Sequence, residues 1–266
     1  MRSKLKLFYK SILIIGFIYV LLTGGLYLFQ DKIIFQADKL EDDYKFKFEQ
    51  PFSEVTIFTR SNSKLSALLF NPITGESKGT ILYFHGNADN MQRWGNYAVD
   101  FTSLGYTVLM IDFSGFGKST GSPSEETLYQ DAEDTWQWAL HHLKSKNFII
   151  YGRSLGTAVA TQLATKHQPQ QLILETPFYQ LIQDRMKLFF PFGLKYNFPN
   201  YQYLQDIDCP VYIFQGTNDR VVSYESAEKL KPLLKSDDKF IIIEGGGHKN
   251  LREFESYHEA LAKVLQ

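Results

Sequence analysis

The sequence predicts an α/β fold built on a mostly parallel sheet. After residue 54, short apolar segments alternate with longer amphipathic ones, which is typical of buried parallel strands covered by helices on both faces. The chain has 266 residues, enough to bury a large core without disulfides or metals. The first 54 residues differ, because they contain a long stretch without a charged side chain.

That stretch, residues 11–30, predicts a transmembrane anchor. Twenty helical residues rise about 30 Å, the thickness of a bilayer's hydrocarbon core. A basic tail, residues 1–10, precedes the stretch, and a juxtamembrane segment with several acidic residues, 31–54, follows it. Under the positive-inside rule the tail stays in the cytoplasm, and the remainder of this single-pass protein is extracytoplasmic, on the periplasmic side in a bacterium.

Three other interpretations of residues 11–30 are weaker. A cleaved signal peptide has a shorter apolar core and a small-residue cleavage site, and no Ala-x-Ala pattern follows. A lipoprotein needs a cysteine just after the apolar stretch, whereas the single cysteine is Cys209. A buried core helix rarely remains uncharged over such a length.

Eight short apolar segments rich in Val, Ile, Leu and aromatic residues predict strands, because Gly, Pro or Asn bounds each one. They are residues 55–60, 65–70, 80–85, 106–112, 148–151, 172–175, 211–215 and 240–244. The first two are connected without a helix and predict an antiparallel hairpin at the sheet edge.

Longer amphipathic segments predict helices at residues 90–103, 125–144, 155–166, 224–234 and 250–265. Ser124 followed by two glutamates is a favourable helix start, since acidic side chains stabilise the first turn. Together these elements predict one domain, residues 55–266, with a short cap around 177–205.

The composition excludes two classes of function. A net charge of −1 and a pI of about 6.6 do not imply the basic surface that nucleic-acid binding needs. One cysteine excludes an intramolecular disulfide and a cysteine-based metal cluster.

Residues 148–156 predict a catalytic nucleophile. They comprise an apolar segment that predicts a strand and then Gly-Arg-Ser-Leu-Gly, and the residues that follow predict the start of a helix. A sharp strand-to-helix turn of this kind lifts the oxygen of Ser154 above the sheet edge, and Gly152 and Gly156 leave room for the turn. The alternative, a glycine-rich turn with a solvent-exposed serine, is disfavoured by this strand–turn–helix context.

A serine hydroxyl needs a base, and here His248 is the preferred candidate. Three histidines follow Ser154 in the chain. His167 ends the helix after the nucleophile, and His258 lies in the last helix. His248 follows a predicted strand through three glycines, a loop that can carry an imidazole back over the serine.

The base in turn needs a carboxylate, and Asp219 is favoured because it lies just beyond the strand at 211–215. Glu175, at the end of the preceding strand, is the chief alternative. Asp206 and Asp208 precede strand 211–215 and therefore lie at the wrong end of the sheet.

An oxyanion hole needs two N–H donors. The main-chain N–H of Leu155, directly after the nucleophile, is one candidate. The other is the N–H of Asn87, in the His85-Gly86-Asn87-Ala88 loop after an earlier central strand. We expect His85 to shape this loop rather than to catalyse.

Four motifs together resemble the α/β-hydrolase superfamily. They are Gly-Arg-Ser-Leu-Gly at 152–156, His-Gly-Asn-Ala at 85–88, Asp-Phe-Ser-Gly-Phe-Gly-Lys-Ser at 112–119 and Gly-Thr-Asn-Asp-Arg-Val-Val at 216–222. The closest likeness is to the small serine-hydrolase branch with bacterial membrane-anchored esterases and eukaryotic protein depalmitoylases. The resemblance spans residue 55 to the end and implies an eight-stranded sheet and cleavage of an ester or thioester through an acyl-enzyme. That branch often has Tyr-Arg where this chain has Phe113-Ser114.

These features predict a membrane-anchored serine hydrolase of the carboxylesterase or thioesterase kind (EC 3.1) that acts on small-molecule or lipid-like acyl substrates. No metal or organic cofactor is required. The same groups also serve a peptidase, an amidase or an acyl transferase. The alternative outside enzymes is a membrane-bound interaction protein on a hydrolase scaffold, which the complete set of triad residues disfavours.

The segment from 177 to 210 is short, so we expect no large lid and an open site. Because the segment is also densely aromatic, it predicts a hydrophobic acyl groove that opens toward the bilayer. About half of its large side chains are expected to be ordinary packing residues. The candidates are Phe178, Tyr179, Met186, Leu188, Phe189, Phe190, Phe192, Tyr196, Phe198, Tyr201 and Tyr203.

Overall fold

The structure is a computed structural model that describes residues 2–145, 147–181 and 195–266. Its strands are β1 (Gln36–Ala37), β2 (Phe52–Phe58), β3 (Lys64–Phe70), β4 (Thr80–Phe84), β5 (Ala88–Asp89), β6 (Thr107–Ile111), β7 (Phe148–Arg153), β8 (Gln171–Glu175), β9 (Val211–Gly216) and β10 (Lys239–Ile243). Its helices are α1 (Arg2–Ile34), α2 (Met91–Trp94), α3 (Val99–Thr102), α4 (Glu125–His142), α5 (Leu155–Lys166), α6 (Asn200–Tyr203), α7 (Tyr224–Glu228) and α8 (Glu255–Val264).

Eight strands form one mostly parallel sheet in the order β10-β9-β8-β7-β4-β6-β3-β2. The predicted hairpin is present at one edge, since β2 pairs with β3 in antiparallel fashion and β3 pairs antiparallel with β6. The other neighbours are parallel, so the carboxyl ends of β7, β8, β9 and β10 lie at the same edge of the sheet. The loops that leave this edge carry the predicted catalytic residues.

The centre of the sheet is covered on both faces, which explains its uninterrupted apolar sequence. Every residue of β4, β6, β7 and β8 is buried. Two hydrophobic clusters flank these strands, one containing Leu82 and Ile150 and the other Tyr83 and Ile149. Side chains that alternate along each strand therefore enter opposite layers.

The structure divides the helix predicted at 90–103 into short turns. A 3-10 turn at Gly95–Tyr97 separates α2 from α3. Gly95 and Asn96 lie at this break, and both are poor helix formers. The ring of Phe48 also approaches Gly95 so closely that a Cβ there would meet it at 2.4 Å.

The segment 31–54, predicted as juxtamembrane, packs against the domain. Phe35 and Phe46 are buried, and β1 pairs in parallel with β5. The first strand of the hairpin begins at Phe52, three residues before the predicted domain boundary. The alternation of aromatic and charged residues at 44–49 conceals this packing in the sequence.

Helix α1 leaves the domain as a continuous 33-residue helix. Among the described residues it alone is long and apolar enough to cross a membrane, over Leu5–Ile34 with a mean hydropathy of 2.3. Its residues from 5 to 22 are exposed, whereas Thr23 and Gln30 near its carboxyl end are buried against the protein.

Candidate active site

Ser154 occupies the turn between β7 and α5 in a conformation that side-chain-bearing residues rarely adopt. Its φ is 50° and its ψ is −116°. Its N–H donates to the carbonyl of Glu175 at 2.9 Å, which fixes the turn to the adjacent strand. A Cβ on Gly152 would lie 2.4 Å from the carbonyl oxygen of Gly156, and one on Gly156 would lie 2.1 Å from that of Phe84. Only glycine fits at both positions.

The structure brings Ser154, His248 and Asp219 into one hydrogen-bonded line. His248 Nε2 lies 3.0 Å from Ser154 Oγ, and His248 Nδ1 lies 2.8 Å from Asp219 Oδ2. Because a carboxylate only accepts hydrogen bonds, Nδ1 carries the proton of the neutral imidazole. Nε2 is then free to accept the Ser154 hydroxyl proton.

Asp219 is held by the turn that follows β9. Its Oδ1 accepts from the main-chain N–H groups of Val221 and Val222, both at 2.8 Å. Gln215 Nε2 approaches Oδ2 at 3.4 Å. The carboxylate is thus buried, oriented and aimed at His248.

Glu175, the alternative acid, has other partners. Its carboxylate lies 3.3 Å from Nε of Arg153 and accepts the hydroxyl of Tyr151. Both members of the ion pair are buried. Burial lowers the pKa of Arg153, but Glu175 and the nearby phenol groups of Tyr83, Tyr97 and Tyr151 together outweigh this effect and hold that pKa above its usual value.

Arg153 also reaches the loop that carries His248. Its Nη2 donates to the carbonyl of His248 at 3.1 Å, and its guanidinium lies 4.6 Å from the ring centre of Tyr97. One side chain therefore joins the end of β7, Glu175 and the loop that carries His248. Sequence reasoning missed this role; the only signal was a charged residue inside an otherwise apolar strand.

The loop after β4 borders Ser154. A Cβ on Gly86 would lie 3.5 Å from Cβ of Ser154 and 3.2 Å from the ring of Trp94. Asn87 and Leu155 line the same cavity as Ser154 and His248. Within the described part of the chain, neither of their main-chain N–H groups donates a hydrogen bond.

His85 lies under this loop as a neutral group. Its Nδ1 is 2.6 Å from the carbonyl oxygen of Gly86, and its Nε2 is 3.6 Å from Asp112 Oδ1. Burial lowers the pKa of His85 to about 4 and raises the pKa of Asp112 well above its usual value. Both shifts favour the uncharged forms, so we describe this contact as a neutral pair rather than a salt bridge.

The cavity at Ser154 has a volume of about 380 Å³. Its large apolar lining residues are Trp94, Leu155, Phe178, Leu181, Val221 and Val222. Arg93 and Lys249 also border it. A larger cavity of about 590 Å³ lies near Phe52 and Ile73, but Ser154, Asp219 and His248 do not line it.

The aromatic residues of the cap divide between cavity and packing. Phe178 lines the cavity, whereas Phe198 is buried and Tyr179 stacks on Tyr201 with ring centres 4.5 Å apart. Five predicted groove residues lie outside the described residues: Met186, Leu188, Phe189, Phe190 and Phe192. Apart from Leu155 and Phe178, the large apolar lining residues were not selected by sequence reasoning, because they come from separate parts of the chain: Trp94 from α2, Leu181 from the segment after β8, and Val221 and Val222 from the loop after β9.

Comparisons with known sequences agree with this architecture. The family described as Serine aminopeptidase, S33 matches residues 75–202. Alpha/beta hydrolase domain-containing protein 17B of Homo sapiens is 30% identical over 207 residues, which cover 75% of this chain and 70% of the human protein. The protein of the same name from Xenopus tropicalis is 28% identical over 206 residues, with the same coverage.

Solved structures show the same fold. An esterase from Pyrococcus furiosus superposes with a TM-score of 0.69 at 18% identity, covering 87% of this chain and 96% of its own. An alpha-beta serine hydrolase homologue from Coxiella burnetii gives a TM-score of 0.66 at 20% identity, covering 83% and 100%. The fold and these matches define a hydrolase. The chain belongs to the α/β-hydrolase superfamily and is related to alpha/beta hydrolase domain-containing protein 17B.

The neutral His85 predicts a pH dependence of stability. An unfolded histidine titrates near 6.5, whereas His85 in the folded protein titrates near 4. Below pH 6.5 the unfolded state binds an additional proton, so His85 lowers the free energy of unfolding by up to roughly 3 kcal/mol between these two values. Replacing His85 by Asn should remove this component of the slope in urea unfolding measured from pH 7 to pH 4.

The exposed His258 provides the matched control, because His258→Asn removes a histidine from the surface. Other titratable groups also contribute to the pH dependence of stability. One is Asp131, since burial raises the pKa of its carboxyl to about 7, but this contribution is the same in the wild type and in both variants. A His85→Asn protein with the wild-type pH slope would show that the buried ring is not the source.

Proposed function

We propose that this chain is a membrane-anchored serine hydrolase that cleaves carboxylic ester or thioester bonds through an acyl-enzyme. The observation that supports the serine mechanism is the hydrogen-bonded line Ser154–His248–Asp219, with contacts of 3.0 and 2.8 Å. Lipid-like acyl groups are the proposed substrates, because the surface of the cavity beside Ser154 is more apolar than polar, although polar side chains also line it.

In the first half-reaction, Ser154 Oγ attacks the acyl carbonyl carbon and its proton passes to His248 Nε2. The carbon–oxygen or carbon–sulfur bond then breaks, and the leaving alcohol or thiol takes that proton. In the second half, water gives a proton to His248 and attacks the acyl carbon. The proton returns to Ser154 as the carboxylic acid leaves, while Asp219 stabilises the transient imidazolium.

The negative charge on the attacked carbonyl oxygen needs donors that are already in place. The main-chain N–H groups of Asn87 and Leu155 are the proposed pair. Leu155 also begins α5, so its N–H lies at the positive end of the helix dipole.

The anchor proposal rests on the exposed apolar surface of α1 between Leu5 and Leu22. Exposure of so many apolar side chains to water is unfavourable, whereas the hydrocarbon core of a bilayer accommodates them. The basic residues before this stretch favour a cytoplasmic amino terminus and an extracytoplasmic catalytic domain.

A peptidase is the second candidate, because the family that matches residues 75–202 is described as Serine aminopeptidase, S33. The two functions are separated by comparing an ester and an amide of one acyl group. Because esters are intrinsically more reactive than amides, catalytic turnover of the aminoacyl amide, and not a rate above that of the ester, would favour the peptidase.

Replacing Ser154 with Ala should abolish hydrolysis. Loss of a triad nucleophile typically lowers kcat by several orders of magnitude, on the order of 10⁶-fold in a well-studied serine protease. Labelling by a fluorophosphonate should vanish as well. Ser114→Ala is the matched control, since that buried serine hydrogen bonds Asp131 and lies outside the cavity. Labelling or activity that survives in Ser154→Ala would exclude Ser154 as the nucleophile.

The anchor should be retained in the mature protein. Alkaline carbonate should leave the full chain in the membrane pellet, and protease should reach the domain only from the non-cytoplasmic side. Replacing Ile14 and Phe17 with Arg should release the protein, because each arginine at the centre of a span costs about 2.5–3.5 kcal/mol. A wild-type protein that is soluble and trimmed at its amino end would contradict the proposal.

The ratio kcat/KM should rise with acyl chain length. Each buried methylene contributes ~0.8 kcal/mol, close to fourfold. Phe178→Ala should weaken this dependence, because Phe178 lines the cavity, whereas Phe58→Ala at the exposed sheet edge should not change it. Equal or falling values from acetyl to octanoyl esters would argue for small polar substrates.

A further inference from the structure

The carboxyl end of α1 meets the loops around Ser154, whereas residues 5–22 of the helix are exposed. The carbonyl of Ile34, the last residue of α1, accepts a hydrogen bond from the side-chain amide of Asn87. Asn87 lines the cavity at Ser154. A single side chain therefore connects the proposed membrane anchor to the proposed oxyanion loop.

The chain directly after α1 reinforces this contact. Gln36 and Ala37 pair as a parallel strand with Ala88 and Asp89, immediately beyond Asn87. Gln36 itself lines the cavity. In the loop that would bind the oxyanion, the side chain of Asn87 is therefore hydrogen bonded to the end of α1, and the next two residues are paired with β1.

Two further sets of hydrogen bonds hold the junction on either side. On the carboxyl side, Asp38 accepts from the side chain of Asn90 at 2.9 Å and from the N–H of Gly117 at 2.9 Å. On the amino side, Asp31 accepts the hydroxyl of Tyr196 at 2.7 Å, and Gln30 accepts the N–H of Lys195 at 2.7 Å.

The aromatic side chain of Phe35 closes the junction. It is buried, and the centre of its ring lies 5.2 Å from the ring centre of Tyr196 and 6.3 Å from that of Phe198. Residues 30–39 are therefore bonded to the cap, to the loop after β4 and to the Gly117 turn. A segment that served only as a tether would need none of these contacts.

We propose that residues 30–39 are a positioning element of the active site, and that the Asn87 side chain is the residue through which they act. The proposal rests on the serine-hydrolase function, with the Asn87 N–H as an oxyanion donor. The Ile34 carbonyl holds the amide side chain, and β1 holds the residues that follow. Together they fix the loop that presents the main-chain N–H, so that this donor is in place before charge develops.

The test compares full-length variants in lipid vesicles, with an acyl ester as substrate. Asn87→Ala keeps the main-chain N–H but removes the bond to Ile34. Inserting two glycines between Ile34 and Phe35 moves the carbonyl away without changing Asn87. Both should lower kcat at least about tenfold and leave KM within about twofold, because the apolar side chains proposed to bind the acyl group are unchanged in both variants.

Asn96→Ala is the matched control. Asn96 is exposed, and its amide donates to the carbonyls of Gln92 and Arg93, so it makes a similar bond with no link to the junction. Hydrogen exchange should rise at residues 85–92 in Asn87→Ala and in the insertion variant, and remain unchanged in Asn96→Ala. A merely structural contact would lower the melting temperature without this kinetic pattern.

A wild-type kcat in either the Asn87→Ala or the insertion variant overturns the proposal. A raised KM in Asn87→Ala with unchanged kcat also overturns it, because the side chain would then bind substrate directly. Fluorophosphonate labelling of Ser154 in the wild type distinguishes a failure of the positioning role from a failure of the serine-hydrolase function. If Ser154 is labelled but the variants are unaffected, the positioning proposal fails alone; if Ser154 is not labelled, the serine-hydrolase function fails.

Discussion

The backbone of Ser154, at φ 50° and ψ −116°, is the constraint on which the site depends. A residue held in such a conformation costs about 1–3 kcal/mol, so the surroundings must stabilise it. Gly152 and Gly156 allow the close backbone contacts of the turn, and the Glu175 carbonyl accepts the Ser154 N–H. Packing of α5 against β4 and β7 holds the turn from behind, and the hydroxyl is left facing His248.

The buried pair of Arg153 and Glu175 connects this turn to the loop of His248, the proposed base. Buried ion pairs are often weak contributors to stability, because desolvation of both charges offsets their attraction. Here the guanidinium also donates to the His248 carbonyl, and Tyr151 donates to Glu175. The pair therefore links β7, β8 and the loop that carries His248, an arrangement better suited to fixing geometry than to adding stability.

The local sequence predicted features that depend on neighbouring residues. The edge hairpin, the parallel sheet and the turn around Ser154 follow from apolar periodicity and glycine spacing. Ser124 caps the amino end of α4, where its side chain accepts the Thr127 N–H. Residues joined by tertiary contact could not be predicted in this way. The bond from Asn87 to Ile34 spans 53 positions, and the packing of Phe46 is concealed by the charged residues around it.

The central claim is that catalysis proceeds through an ester on Ser154. The most direct measurement is intact-protein and peptide mass spectrometry of the full-length enzyme, quenched in acid during turnover of an octanoyl thioester. The account predicts an added octanoyl mass on the peptide containing Ser154, formed in the wild type and absent from Ser154→Ala. Turnover without any adduct under conditions where deacylation limits the rate, or an adduct on another residue, would contradict it.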